Sequence, residues 1–280
     1  MANNNSDISN RSLKTKLYNR FLEAKSLMRP HIQKIIELLG KFEDNIYLAS
    51  LFGSCAKDCE NAHSDIDLLI VCDKTVTPQI YQHLRKLDLK LKRNIHINIY
   101  AKDIFNKRIK RRDYLITSLL QDSIPILGDE RFEELKNDIL KIKLDHYSLK
   151  FNRNIGIKLF TRASRTLFSL TREKTFTSHC VYNELFKKKL LRSLEDLHVA
   201  LGYLYASEKM KQSGKIVTFN NLLRSESTMF KEVLYKRNFL KRTQLSPNWN
   251  SAILDTIANL ASSAIKEISQ IKRPPLILER

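Results

Sequence analysis

The chain has 280 residues, 42% of them apolar, which supplies a sizeable core for one large domain or two smaller ones and excludes wholesale disorder. No uncharged apolar run reaches the length of a membrane span, about 18 residues or more, and six Gly and six Pro exclude a collagen-like or linker-like chain. Lys and Arg number 49 against 30 Asp and Glu, a formal charge of +19. The first 146 residues hold 25 basic and 20 acidic side chains, and the remaining 134 hold 24 and 10. So lopsided a field suits a polyanionic partner such as RNA, DNA or a phosphate-rich ligand.

The opening decapeptide, MANNNSDISN, is polar and has no apolar core of the kind a secretory leader needs. Cys55, Cys59, Cys72 and Cys180 are too few and too unevenly spaced for a disulfide framework, so free thiols in a cytoplasmic protein are expected. Cys55, Cys59 and His63 have a metal-like rhythm, but no second Cys/His pair follows to complete a zinc site.

In chain order, residues 12–28 show helical spacing through Leu13, Leu17, Phe21 and Leu27. Pro30 suits a first helical position and opens a helix carrying Ile32, Ile35, Ile36 and Leu39 that stops near Gly40. Two apolar runs, Ile46–Phe52 and Ile66–Cys72, read as buried strands. Residues 78–92 return to helical spacing, and Ile95–Tyr100 alternates with period two as a strand does. The pattern is helical again from about 103, and Ile124–Leu127 before Gly128 reads as a short edge segment. Beyond 129 nearly everything is helical, most plainly over 185–205, where Phe186, Leu190, Leu194, Leu197, Leu201 and Leu204 form one stripe. Thr175–Ser178 reads as a turn, and Ser246-Pro247 opens a last helix to about Ile271. The expected architecture is α+β: strands and helices over 1–145, followed by a basic all-helical domain over 146–280.

The chemistry is concentrated between Leu51 and Ile70. A strand ends at Gly53-Ser54 and a helix is expected to start there, so backbone N–H groups, approached closely past a glycine, could hold phosphate oxygens. Ser54 adds a hydroxyl. Asp65 and Asp67 stand two apart at the start of an apolar strand, where period-two geometry sets both carboxylates on one side of the sheet. Two hard oxygen donors beside a phosphate cradle suit Mg²⁺ or Mn²⁺ carried with a triphosphate.

Gly53, Ser54, Ala56, Ser64, Asp65 and Asp67 follow the pattern Gly-Ser-x-Ala, then Ser-Asp-x-Asp, then apolar residues. In this the chain resembles the DNA polymerase beta-type nucleotidyltransferases, particularly the minimal nucleotidyltransferases and aminoglycoside-type adenylyltransferases, over about residues 30–128. Ile126-Leu127-Gly128 resembles the close of that domain. The resemblance implies a small mixed sheet, an NTP such as ATP, Mg²⁺, and transfer of a nucleoside monophosphate to an acceptor. It implies metal at Asp65 and Asp67 and nucleotide at Gly53, Ser54 and Ser64.

Two departures from that pattern stand out. Asp58 occupies a position that is usually glycine, and Asn98, in Ile97-Asn98-Ile99, occupies the place of a third catalytic carboxylate. Asparagine can coordinate through its carbonyl but cannot accept a proton. His96 and Asp103 are the nearby groups considered as replacements.

In the basic half, Arg162, Arg165, Arg172, Lys174, Lys187–Lys189, Arg192, Lys236, Arg237, Lys241 and Arg242 are interleaved with Tyr182, Tyr203, Tyr205, Phe219, Phe230, Tyr235 and Phe239. Cations for phosphates and rings for unpaired bases suit an RNA acceptor. Minimal nucleotidyltransferases also occur beside HEPN helical bundles, whose RNases show an Arg–His spacing that Arg172/His179 and Arg192/His198 both satisfy. In a continuous helix Arg192 and His198 would point about 120° apart. Two alternatives stay open beside nucleotidyl transfer to an acceptor, possibly RNA: a catalytically weak or inactive nucleotide- or RNA-binding relative, and a small-molecule adenylyltransferase.

Overall fold

A computed structural model describes residues 29–57, 64–91, 94–141, 143–176, 184–224 and 230–235, with isolated positions at 238, 259 and 263. The helices expected at 12–28 and 246–271, and Asp58, Cys59, His63, His179 and Cys180, lie outside these residues. The chain forms two compact units: residues up to Arg112 with Ile116–Ile142, and Asp113–Leu115 with Lys143 onward.

The first unit is built on a four-stranded mixed sheet of β1 (Ile46–Phe52), β2 (Ile66–Cys72), β3 (Ile95–Ala101) and β4 (Ile124–Leu127), in the order β3-β2-β1-β4. β1 runs antiparallel to β2 and β4, while β2 and β3 are parallel. The parallel pair needs a crossover, which α2 (Thr77–Leu91) supplies. Alternation decides the faces. Ala49, Leu51, Ile66, Leu68, Ile70 and Ile95 point to one side, into a core closed by Ile32, Ile35 and Leu39 of α1 (Arg29–Gly40) and Ile80 and Leu84 of α2. Each such side chain contributes about 1.5–3 kcal/mol by leaving water, so a slip of one residue in register would turn the whole set outward. α3 (Lys102–Lys110) packs on β3 and β2, and α5 (Asp129–Lys141) on β1. The helical stretch expected from 103 is two helices, α3 and α4 (Tyr114–Asp122), broken at Arg112, whose φ is 48°.

Gly128 ends β4 at φ 74°, and a β-carbon there would stand 2.6 Å from the Tyr47 carbonyl oxygen. Glycine is required at this close of the sheet for both reasons.

The second unit is organised by two long helices of similar length that pack on each other, α6 (His146–Phe176) and α7 (Glu184–Ser213), followed by the short α8 (Phe219–Leu223). Thr175 and Phe176 continue α6 rather than turning. Phe160, Ala163, Leu167, Leu190, Leu194, Leu197 and Leu201 are buried in its core, in line with the stripe read from 185–205. Asp113 is fully buried and accepts hydrogen bonds from the Tyr203 hydroxyl at 2.7 Å and the Leu115 N–H at 2.9 Å. Asn152, also fully buried, accepts from the Tyr114 N–H and donates to the Ser148 carbonyl. A buried polar group is tolerated when it is satisfied in this way.

Candidate nucleotidyltransferase site

The site residues are set by the end of β1 and the parallel register of β2 with β3. Asp67 lies across from Phe52 on one side and His96 on the other, and Leu69 lies across from Asn98. The Asp67 carboxylate turns toward the bend after β1: a β-carbon on Gly53 would stand 2.2 Å from Asp67 Oδ2. Gly53 has φ 73°, a backbone conformation that disfavours any side chain, and a β-carbon there would also displace the Asp67 carboxylate from the bend. The sequence analysis set Gly53 beside a phosphate; here it is also what lets Asp67 sit against the bend.

Each carboxylate has a partner from β3 or the residue before it. Asp67 Oδ1 lies 3.1 Å from His96 Nδ1, and Asp65 Oδ1 accepts from Asn94 Nδ2 at 2.9 Å. The Ile66 N–H donates to the Asn94 carbonyl, and Cys55 Sγ donates to the Asp65 carbonyl at 3.5 Å, fixing the backbone at the head of β2 from two sides. Sequence reasoning did not find Asn94 or this role of Cys55. A signal existed: Asn94, His96 and Asn98 alternate with period two, as Asp65 and Asp67 do. What the sequence lacks is the register that sets 65 beside 94 and 67 beside 96.

Asn98 is half-buried on the same strand face as His96, one pleat further along β3. Asp103 is not nearby. It sits in the first turn of α3, past the far end of β3, and the strand from His96 to Ala101 alone spans about 17 Å. Ser54 and Ser64 flank the site: Ser54 in the turn after β1, with its carbonyl accepting from the Lys57 N–H, and Ser64 just before Asp65. The helix expected to start at Ser54 is, among the described residues, a single 3-10 turn, Cys55–Lys57.

Among the described residues no three His, Cys, Asp or Glu side chains form a ready-made metal cage. The donors present suit a different arrangement. Mg²⁺ is commonly held by one or two carboxylates, with substrate phosphates and water filling its other positions. Asp65 and Asp67 match that requirement, with Asn94 and His96 each bound to one carboxylate oxygen, Oδ1.

Lys57 Nζ lies 3.9 Å from Asp122 Oδ2 at the end of α4, and burial pushes the Asp122 carboxyl above its ordinary range despite the lysine. In the second unit His198 is buried, stacked on Phe230 at 4.8 Å and edge-on to Phe219, while Arg192 is exposed.

Residues 33–122 match the family model "Polymerase beta, Nucleotidyltransferase". No curated protein matches the chain. Among solved structures, the chain is similar to spectinomycin adenyltransferase AAD(9) from Enterococcus faecialis with ATP and spectinomycin, at 15% identity and TM-score 0.41, over 85% of this chain and 98% of that one. It is also similar to a toxin–antitoxin structure with AMP-PNP, at 18% identity and TM-score 0.29, over 39% of this chain and 83% of that one. A mutant of the toxin–antitoxin MntA–HpeT matches at 16% identity and TM-score 0.28, with the same two coverages. The segment that carries β1, β2, β3, the Gly53 bend, Asp65 and Asp67 thus matches a polymerase beta-type nucleotidyltransferase domain over residues 33–122.

Proposed function

We propose that the protein is a Mg²⁺-dependent nucleotidyltransferase that moves a nucleoside monophosphate from an NTP, ATP first among them, to RNA. The observation that carries this reading is the Asp67 carboxylate lying against the Gly53 bend, with Asp65 two residues before it on the same strand head. Asp65 and Asp67 would hold the metal, and Gly53, Ser54 and Ser64 would receive the phosphates. Bound there, Mg²⁺ supplies charge neutralisation as the α-phosphorus is attacked.

The chain's own groups do the positioning. His96 orients Asp67 and Asn94 orients Asp65, each through one carboxylate oxygen. In the transfer, the acceptor oxygen bonds to the α-phosphorus, pyrophosphate leaves with the electrons of the broken P–O bond, and the acceptor proton passes to solvent or to pyrophosphate. Asn98 cannot take that proton. Replacing a carboxylate base by a neutral amide favours a slow enzyme, and it supports a second reading in which the domain binds nucleotide without turning it over.

RNA is favoured as acceptor by the charge of the second half, 24 basic residues against 10 acidic. A cationic small-molecule acceptor would instead call for an acidic surround. The test is incubation of the full-length protein with each α-³²P-labelled NTP, Mg²⁺ or Mn²⁺, and total RNA. Label in RNA that disappears with Asp67→Ala supports transfer. No labelled product from any NTP, with metal-dependent nucleotide binding retained, supports the non-catalytic reading instead.

A further inference from the structure

We propose that the exposed face of α6 is a docking track for unpaired RNA, with Lys150, Lys158 and Arg165 holding phosphates and Tyr147 and Phe168 stacking on bases at its two ends. The inference deepens the reading of RNA as acceptor and rests on it for the identity of the nucleic acid.

The residues fall on one line by helical geometry. At about 100° per residue, positions 147, 150, 154, 158, 162, 165 and 168 return to the same side of α6 within roughly 60° of its centre. All seven are exposed, whereas Ser148, Asn152, Gly156, Phe160, Ala163 and Leu167 occupy the opposite side and are buried. Between His146 and Leu170 there is no Asp or Glu. One cation on the line is already committed: Arg162 makes a two-pronged pair with Asp196 of α7, at 2.8 and 2.6 Å. Lys150, Lys158 and Arg165 make no ion pair with the described residues, and their spacing is about 12 and 10 Å along the axis.

Charge by itself would suit any polyanion. The rings narrow the choice. Tyr147 is 80% exposed and Phe168 72% exposed, about 32 Å apart at the ends of the line. Large aromatic surface left in water is a platform for unstacked bases, which a duplex or a phosphorylated protein does not offer. Between them the track presents the exposed Asn154 amide, a group able to pair with a ribose 2′-hydroxyl. RNA is therefore preferred over DNA.

The experiment measures binding of a fluorescent unstructured RNA oligomer to the full-length protein across a salt series. The variant Lys150→Glu/Lys158→Glu/Arg165→Glu is expected to bind at least about tenfold more weakly near physiological salt, with a log–log salt slope shallower by about 2. A control, Lys34→Glu/Lys86→Glu/Lys90→Glu, changes the net charge equally on exposed lysines of α1 and α2 and is expected to bind far closer to wild type. Tyr147→Ala/Phe168→Ala is expected to lose about tenfold or more with the salt slope unchanged. Should the charge-reversal variant fail to fold by circular dichroism, the neutral Lys150→Gln/Lys158→Gln/Arg165→Gln replaces it. Equal losses in the stripe and control variants, or a stripe variant that binds as wild type does, overturn the track. A DNA oligomer of the same sequence binding as tightly as RNA overturns the assignment to RNA. Stripe-dependent RNA binding without transfer of label would defeat the transfer reading and leave the track standing.

Discussion

The two units use polar residues in opposite ways. In the sheet unit, polar side chains sit at chosen register positions at the head of two parallel strands: Asp65 with Asn94, Asp67 with His96, and Asn98 one pleat on. A change of one residue in register would disperse them. In the helical unit the buried polar groups satisfy one another, as Asp113 with Tyr203 and Asn152 with Tyr114 do, and the cations lie outside on α6, where Arg162 pairs with Asp196. On the proposed reading, the sheet unit concentrates function in a few positions where each atom matters, and the helical unit spreads it over a face where charges contribute by number. Single substitutions should be severe in the first and graded in the second.

The largest effect is expected for Asp67→Ala and Asp65→Ala. Each removes a carboxylate that would hold the metal, and NMP transfer should fall by about a thousandfold or more, about 4 kcal/mol of barrier. If single helical-unit lysines proved equally critical, the contrast between the units would fail.

Gly53→Ala comes next. The added methyl meets Asp67 Oδ2 at 2.2 Å in a backbone of positive φ, so transfer should drop about a hundredfold and stability by about 1–3 kcal/mol, read by steady-state kinetics and urea melts. In the helical unit, Tyr203→Phe leaves buried Asp113 short of one donor and should cost about 1–3 kcal/mol in urea unfolding. It should leave nucleotide binding as it was.

Asn98→Asp sharpens the comparison from the other side. If the missing carboxylate limits the reaction, this variant should transfer label about tenfold faster or more. An unchanged rate would remove Asn98 as the limiting departure.

The smallest effect concerns pH. Burial raises the Asp122 carboxyl above its unfolded value, so the folded state gains from protonating it. That contribution is complete below the unfolded pKa and is lost as pH rises through the raised folded value. Asp122→Asn should thus be slightly more stable than wild type at neutral pH, the difference closing as pH falls into the carboxylate range. The Lys57 contact at 3.9 Å is partly exposed and offsets little.

The legibility of the sequence follows the same division. Strands β1, β2 and β3 and helices α1 and α2 were readable because one or both faces are apolar with a clear period, and Gly53, Asp65 and Asp67 because a fixed motif carries them. The partners Asn94 and Cys55 were not, since cross-strand pairing depends on a crossover whose geometry no local pattern records. Asp103 looked close in sequence to Asn98, but an extended strand carries it away from the site. The helix expected after Ser54 is a 3-10 turn, Cys55–Lys57, in the described residues. His198 carried an RNase-like spacing, and its burial among Phe219 and Phe230 makes it a core residue.

The central claim is that Asp65 and Asp67, beside the Gly53-Ser54 bend, hold a divalent cation together with a nucleoside triphosphate. Calorimetric titration of full-length protein with ATP, in the presence of Mg²⁺ and again with EDTA, tests it most directly when wild type is compared with Asp65→Ala/Asp67→Ala. The account expects Mg²⁺ to tighten ATP binding to wild type by at least about tenfold and to do nothing for the double variant. Equal Mg²⁺-dependent binding by both proteins would contradict it.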